Sequence, residues 1–334
     1  MLTAESFAAR IADEMAPAVI IAEAGSNHDG SIDQARKLIV AAAEAGCDAI
    51  KFQLFKTEEL VLGGHPATEI LRSVEFPRDW LDELVPYCAA AGIAFCASPF
   101  DAAAVDLLAA AQVPLIKIAS PEIHDLPLIR RAAATGIPLV ISTGMATLED
   151  AAIAVSAARD AGAQAISVLH CVSLYPTPAE HLHLRMMLDL ARHLDVPVGL
   201  SDHSEGITVP AVAIGMGARV VEKHFTLGRD LPGPDHGYAI EVDDLAEMMS
   251  RIREAETAMG RHAKEPLYGI EQIELNNKAY VSAVDIPAGT GITEAVLKVK
   301  RVPDGIRPAQ AGLLLGRTIK VDIPADTVFR TDMF

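Results

Sequence analysis

From about residue 18 to residue 260, short apolar runs rich in β-formers alternate with Ala-rich stretches whose apolar residues recur at helical spacing. The runs at 18–23, 49–53, 93–97, 115–118, 139–142, 166–170, 198–201 and 219–224 predict eight strands. Helical patterns lie between them, among them 31–45, 79–91, 147–161 and 242–259. The runs are apolar throughout rather than alternating with polar residues. That predicts burial on both faces, and so parallel pairing. Eight strand–helix units in about 240 residues fit a closed (β/α)8 TIM barrel. A doubly wound open sheet is the competing arrangement, but no Gly-rich dinucleotide fingerprint follows the first strand. Ser31 with Gln34, and Thr147 with Asp150, predict capping boxes at two helix starts. After about Pro266 the pattern changes to short β-like runs at 279–284, 297–300 and 318–321. An Asp-Ile-Pro-Ala repeat at 285–288 and 322–325 predicts two related turns in a small β-rich domain. The expected division is a barrel at 1–265, a linker at 266–276 and a tail domain at 277–334. A tail of that size has little core of its own and is expected to dock on something.

Composition narrows the partners. With 334 residues, 51% of them hydrophobic, the chain can bury a substantial core. A net charge of −17 argues against nucleic acid or an anionic membrane surface as a partner. The first residues carry no basic n-region, so no secretory signal is expected. No run approaches the roughly 20 apolar residues of a membrane span. Cys47, Cys88, Cys96 and Cys171 show no CxxC spacing, which predicts neither a zinc ribbon nor a disulfide framework, and a cytoplasmic setting.

In such a barrel the C-terminal strand ends form the active face. Read in order, those ends bring Glu23, then Lys51 and Gln53, Ser98, Lys117 with Ser120 and Glu122, and Ser142-Thr143-Gly144. His170 follows with Ser173 and Tyr175 beyond it, then Ser201-Asp202-His203, and finally Lys223-His224. Lys51 and Lys117 interrupt strands otherwise suited to burial, and a buried lysine is costly without an anion. Salt bridges to barrel carboxylates, or a Schiff-base lysine, would account for them. With Ser98, Ser120, Ser142 and Ser201 alongside, they favour a cradle for a phosphate or carboxylate. His203 and His224 read either as core histidines or as ligands to one divalent metal, with Asp202 and Glu222 near. Imidazole and oxygen donors suit Mn²⁺, Zn²⁺, Fe²⁺ or Co²⁺ alike. A period of two puts Glu222 and His224 on one strand face, while Asp202 and His203 point oppositely unless the strand has ended. Burial would raise the Glu23 carboxyl towards a useful acid/base range, whereas an ion pair with Lys51 or Lys117 would lower it. Cys171 reads as a small buried residue.

Several stretches together resemble the sialic acid synthase family: Ile21–Gly30, Lys51-Phe52-Gln53, Lys117–Glu122, Ser142–Met145, Leu169-His170-Cys171, Tyr175–Pro178, Gly199–His203, Glu222–Thr226 and Pro232–His236. The tail is similar to the antifreeze-like (SAF) domain of those synthases. The resemblance implies a TIM-barrel enzyme that condenses phosphoenolpyruvate with an N-acylated amino sugar, such as N-acetylmannosamine or a 6-deoxy diacetamido sugar, to a nine-carbon 2-keto acid. It implies that Lys51, Ser98, Lys117, Ser120, Ser142, Ser173 and Ser201 hold phosphoenolpyruvate. His203 and His224 would bind the metal, usually Mn²⁺, with Mg²⁺ or Co²⁺ as alternatives. Glu23 would serve as general acid/base, with Gln53, Glu122, Tyr175 and Asp235 towards the sugar. It further implies a homodimer in which the tail covers the partner's barrel and Arg301 reaches the sugar's N-acyl group. Ser173 stands where many members have Asn, and the segment from Phe55 to Trp80 is short and lacks a Tyr-rich stretch. Two rivals remain: another phosphoenolpyruvate–aldose synthase of the octulosonate-phosphate or heptulosonate-phosphate type, and a non-catalytic sugar-binding homologue.

Overall fold

In the computed structural model, which describes residues 2–260 and 269–334, the eight apolar runs close into one parallel barrel. Its strands are β1 (Val19–Gly25), β2 (Ala49–Leu54), β3 (Ala94–Pro99), β4 (Ile116–Ile118), β5 (Leu139–Ser142), β6 (Ile166–Cys171), β7 (Val198–Asp202) and β8 (Val220–His224). Pairing runs in sequence order, and β1 closes on β8 in the register Val19↔Val220 to Glu23↔His224. The (β/α)8 expectation is met.

The alternation within each strand decides what faces where. Ile20, Ile50, Phe95, Ile116, Ile141, Val168, Leu200 and Val221 pack outward in the core shared with the helices. Val19, Ile21, Ala49, Ala94, Cys96, Leu115, Val140, Leu169 and Val220 pack inward, together with Phe7 and Ile11 of the helix Ala4–Ala12. That core fills the N-terminal half of the barrel. Continuing the inward set by twos along each strand reaches Glu23, Lys51, Lys117, Ser142, Ser201, Glu222 and His224, so the C-terminal half is polar. The cross-section there is tight. A side chain at Gly199 would put its Cβ 2.1 Å from the Val220 carbonyl oxygen, which restricts that position to glycine.

Two helix starts differ in detail. Thr147 and Asp150 form a full capping box ahead of the helix Leu148–Asp160. Ser31 accepts from the Gln34 N–H at the start of the helix Ile32–Glu44, but the reciprocal half is missing. The Gln34 amide instead donates to the Asn27 carbonyl and the Asp29 carboxylate, pinning the loop after β1.

The chain divides into two units, Met1–Arg261 and His262–Phe334. Of the expected linker, residues 266–268 lie outside the described residues, and Ile270–Asn276 is a helix. The second unit holds an antiparallel pair, β9 (Lys278–Ser282) and β10 (Leu297–Arg301), over a core of Ile286, Ile292, Ile306, Leu314, Ile319, Ile323 and Phe329. The run at 318–321 is not a strand. Thr318 makes a single bridge to Gly291, and the Ile319 and Lys320 amides donate to Thr290 and Met333, so no ladder forms. The Asp-Ile-Pro-Ala repeats face each other: Ile286 and Ile323 exchange backbone bonds. Asp285 accepts from the Ala325 N–H and Asp322 from the Ala288 N–H, each at 2.7 Å.

Candidate active site

The inward polar positions of β1, β2, β4 and β8 build a buried group of two carboxylates and two ammoniums. Strand register sets Glu23 beside Lys51 and Ser201 beside Glu222. Lys51 Nζ lies 2.8 Å from Glu23 Oε1, 3.2 Å from Ser98 Oγ and 3.9 Å from Glu222 Oε1. Glu222 Oε1 also meets Lys117 Nζ at 3.5 Å and accepts from Ser201 Oγ at 3.1 Å. Gln53 donates to Glu23 Oε1 at 3.0 Å. The second oxygens of Glu23 and Glu222 are buried without any partner. Both carboxylates therefore keep acceptor capacity directed at something other than protein.

The four charges do not titrate alike. Burial raises Glu23, and the adjacent Lys51 does not cancel that effect. Burial also acts to raise Glu222, but Lys117 and Lys51 outweigh it and hold this carboxyl down. Lys51 is held up because its two carboxylates overcome the effect of burial. Lys117 is lowered, by burial first and by the like charge of Lys51. The result is one carboxyl poised for proton exchange beside one that stays ionised.

Next to this group lies a small polar hollow. Ser120 Oγ accepts from the Gly144 N–H at 2.9 Å. A Cβ at Gly144 would fall 2.4 Å from Ser173 Oγ, 2.8 Å from Cys171 Sγ and 2.9 Å from Ser120 Oγ, so three side chains converge where glycine leaves space. The hydroxyls of Ser142 and Ser173 are buried and unpartnered.

At the strand ends, His203 and His224 have ring centroids 5.3 Å apart. His203 Nδ1 bonds the Val172 carbonyl at 2.8 Å. Burial pushes His224 down to about 4, which keeps it neutral, the ligating form, near pH 7. Its Nδ1 is buried with no partner. Among the described residues no group of three His, Cys, Asp or Glu side chains could hold a metal ion. Two imidazoles alone suit an open catalytic site completed by water and substrate oxygens, and not a closed structural one. Tyr175 lies over His203 at 4.1 Å between ring centroids, and Tyr238 packs against both Tyr175 and His224. Asp235 joins from the loop after β8, accepting from Ser26 Oγ at 2.7 Å, where a register shift after Glu23 bends the end of β1. His224 and Ser26 hold its carboxyl low against the pull of burial.

Several sequence-predicted residues take places that the sequence left open. Asp202 is turned outward and pairs with Lys223 at 2.7 Å, so it is no neighbour of the imidazoles. β7 ends at Asp202, which frees His203 from the strand alternation. His170 also points outward, bonding the Leu182 carbonyl, while Cys171 takes the inward place. Glu122 sits on the short helical turn Ser120–His124, raised by burial and by Asp125, and is not hydrogen-bonded to the cluster. Arg301 is exposed on β10, opposite Lys278, in the tail unit. Sequence reasoning missed Tyr238 and Ser26, and treated Glu222 as a metal neighbour when it is the lysines' counterion. For Glu222 the inward period was the available signal, and for Ser26 its place in the Ile21–Gly30 stretch; for Tyr238 there was none.

The NeuB family profile matches residues 38–264, and the SAF domain profile matches residues 277–334. The chain belongs to the NeuB family. Its relatives include an N,N'-diacetyllegionaminic acid synthase from Legionella pneumophila, 34% identical with 92% of each chain covered. They also include the N-acetylneuraminate-9-phosphate synthase of Mus musculus, 34% identical over 93% of this chain and 90% of that one. Among solved structures, an N-acetylneuraminic acid synthetase from Leptospira borgpetersenii superposes with a TM-score of 0.74 at 32% identity, covering 77% of this chain and 90% of that one. In this NeuB-family chain the paired charges, the serine hollow and the two imidazoles all lie at one end of one barrel.

Proposed function

We propose that this protein condenses phosphoenolpyruvate with an N-acylated amino sugar, releasing phosphate and forming a nine-carbon 2-keto acid of the sialic acid type. The observation that carries the reading is the buried Glu23–Lys51–Glu222–Lys117 group beside the serine hollow, in a chain of the NeuB family. Lys51 and Lys117 offset the charge of phosphoenolpyruvate and of the departing phosphate. Ser98, Ser120, Ser142, Ser173 and Ser201, with the Gly144 N–H, hold its phosphate and carboxylate oxygens. C3 of phosphoenolpyruvate attacks the sugar aldehyde, water adds at C2, and phosphate leaves from the tetrahedral carbon. Glu23, whose Oε2 is free of protein partners, takes the proton of that water; a positioned base of this kind is worth on the order of 10²–10⁴-fold.

His203 and His224 would hold a divalent metal, Mn²⁺ by preference, which supplies Lewis-acid polarisation at the aldehyde when bound. Gln53, Tyr175 and Asp235 face the sugar, with Glu122 on the neighbouring turn. We further propose a homodimer in which the tail of one copy serves the barrel of the other and brings Arg301 to the N-acyl group. Four free, buried cysteines support a reducing, cytoplasmic setting. Among the described residues no helix is long and apolar enough to cross a membrane.

The test is phosphate release from phosphoenolpyruvate with Mn²⁺ supplied, across N-acetylmannosamine, its 6-phosphate, and the 6-deoxy diacetamido sugars that precede legionaminic and pseudaminic acids. Release dependent on one of these sugars is expected. No turnover with any of them overturns the reading.

A further inference from the structure

Lys223 sits between Glu222 and His224 and so projects from the opposite, outward face of β8. Its outward neighbours Leu200, Val221 and Phe225 are apolar members of the core under the helices. An apolar side chain would pack there at lower cost, since burying an ion pair sacrifices the hydration of both charges. Lys223 is nonetheless 1% exposed and makes two contacts, with Asp202 Oδ2 at 2.7 Å and with the Ser204 carbonyl oxygen at 2.5 Å. Asp202 Oδ1 in turn accepts from the Ser204 N–H at 2.9 Å. One ammonium therefore holds the residues on either side of His203, and it belongs to the residue next to His224.

This arrangement is needed because His203 lies beyond the end of β7, where the barrel ladder no longer fixes it. On the inner side its backbone carbonyl accepts from the Thr177 N–H and its Nδ1 bonds the Val172 carbonyl, each at 2.8 Å. On the outer side, beyond the last ladder pair Asp202↔Lys223, the lysine clamp ties the residues flanking it to β8. We propose that Lys223, through Asp202 and Ser204, is a positioning residue that sets the separation of His203 and His224 for metal binding. This inference rests on the reading that the two imidazoles hold a divalent metal, and it adds a residue that touches neither metal nor substrate.

The experiment is an electron paramagnetic resonance titration of free Mn²⁺ with the full-length chain, paired with thermal unfolding in the absence of metal. Lys223→Met alone leaves Asp202 buried and unpaired, so the informative variants are Asp202→Asn and the double change Lys223→Met with Asp202→Leu. The double variant replaces the pair with apolar side chains. It is expected to keep its thermal transition while Mn²⁺ affinity falls by about 10–100-fold, the range seen when groups supporting metal ligands are lost. Asp202→Asn keeps the shape and weakens the clamp, and is expected to lose affinity in the same direction. In both, the rate should recover as Mn²⁺ is raised to saturation, which a purely structural role would not produce. Wild-type Mn²⁺ affinity in both variants overturns the inference while leaving the two-histidine site standing. If wild-type chain and His203→Ala alike bind no Mn²⁺, the metal site itself falls, and the positioning role with it.

Discussion

Glu23 is the residue whose environment and proposed work can be separated most cleanly. It is buried, its Oε1 is taken by Lys51 and Gln53, and its Oε2 is free. Burial raises its carboxyl above the ordinary value of 4.5. A base must be ionised to accept a proton, so the rate should fall as pH drops through this raised pKa and hold above it. Glu23→Gln keeps the volume and can still accept from Lys51. Its kcat is therefore expected to drop by about 10²–10⁴-fold, with the KM for phosphoenolpyruvate little changed. The acidic limb of the kcat profile should vanish with it. Initial rates of phosphate release from pH 5 to 9 check both. A Glu23→Gln enzyme that keeps the wild-type limb would assign the titration to another group.

At the scale of elements, the loop after β5 makes a second point. A methyl group at Gly144 would press on Ser173, Cys171 and Ser120, all short side chains that can rotate away. The cost of Gly144→Ala should therefore fall on the hollow and not on the barrel: an unchanged thermal transition, with the KM for phosphoenolpyruvate raised at least about tenfold, some 1.4 kcal/mol. An unchanged KM would place the phosphate elsewhere. That hollow also marks how far sequence alone reaches. Sequence places Glu23, Lys51, Lys117, Ser142, Ser201 and His224 at the strand ends and, by a period of two, Glu222 and His224 on one face, because a period of two fixes which residues of a strand share a side. It failed where strands stop. Asp202 and His203 are ambiguous in sequence because β7 ends between them, and 318–321 reads as a strand although its partners are split between residues 289–291 and Met333. Ser26 reaches the site from the turn after β1 and Tyr238 from the short helical turn His236–Tyr238, whose paths no periodicity encodes.

At the scale of the whole molecule, charge is divided unevenly along the chain. Residues 277–334 carry 8 Lys and Arg against 6 Asp and Glu, while the remainder carries 20 against 39. In the proposed dimer a mildly basic tail would meet a strongly acidic barrel, so its association should weaken as salt is raised. The proposal that Arg301 serves the partner's barrel has a consequence that a tail acting within its own chain cannot share. Arg301→Ala should raise the KM for the amino sugar and spare that for phosphoenolpyruvate, and Glu23→Gln should be nearly inactive. Mixed and allowed to exchange subunits, the two variants form dimers in which an Arg301→Ala barrel, with its Glu23 intact, meets the intact tail of a Glu23→Gln chain. One site in each mixed dimer is then complete, so random exchange of equal amounts restores about a quarter of wild-type sites. If each tail serves its own barrel, no mixed dimer holds a complete site, and the mixture only averages its parts. Rates measured at a sugar concentration well below the Arg301→Ala KM, before and after exchange, separate the two. Regained activity establishes the tail as part of the partner's site, and simple averaging removes Arg301 from the proposed mechanism.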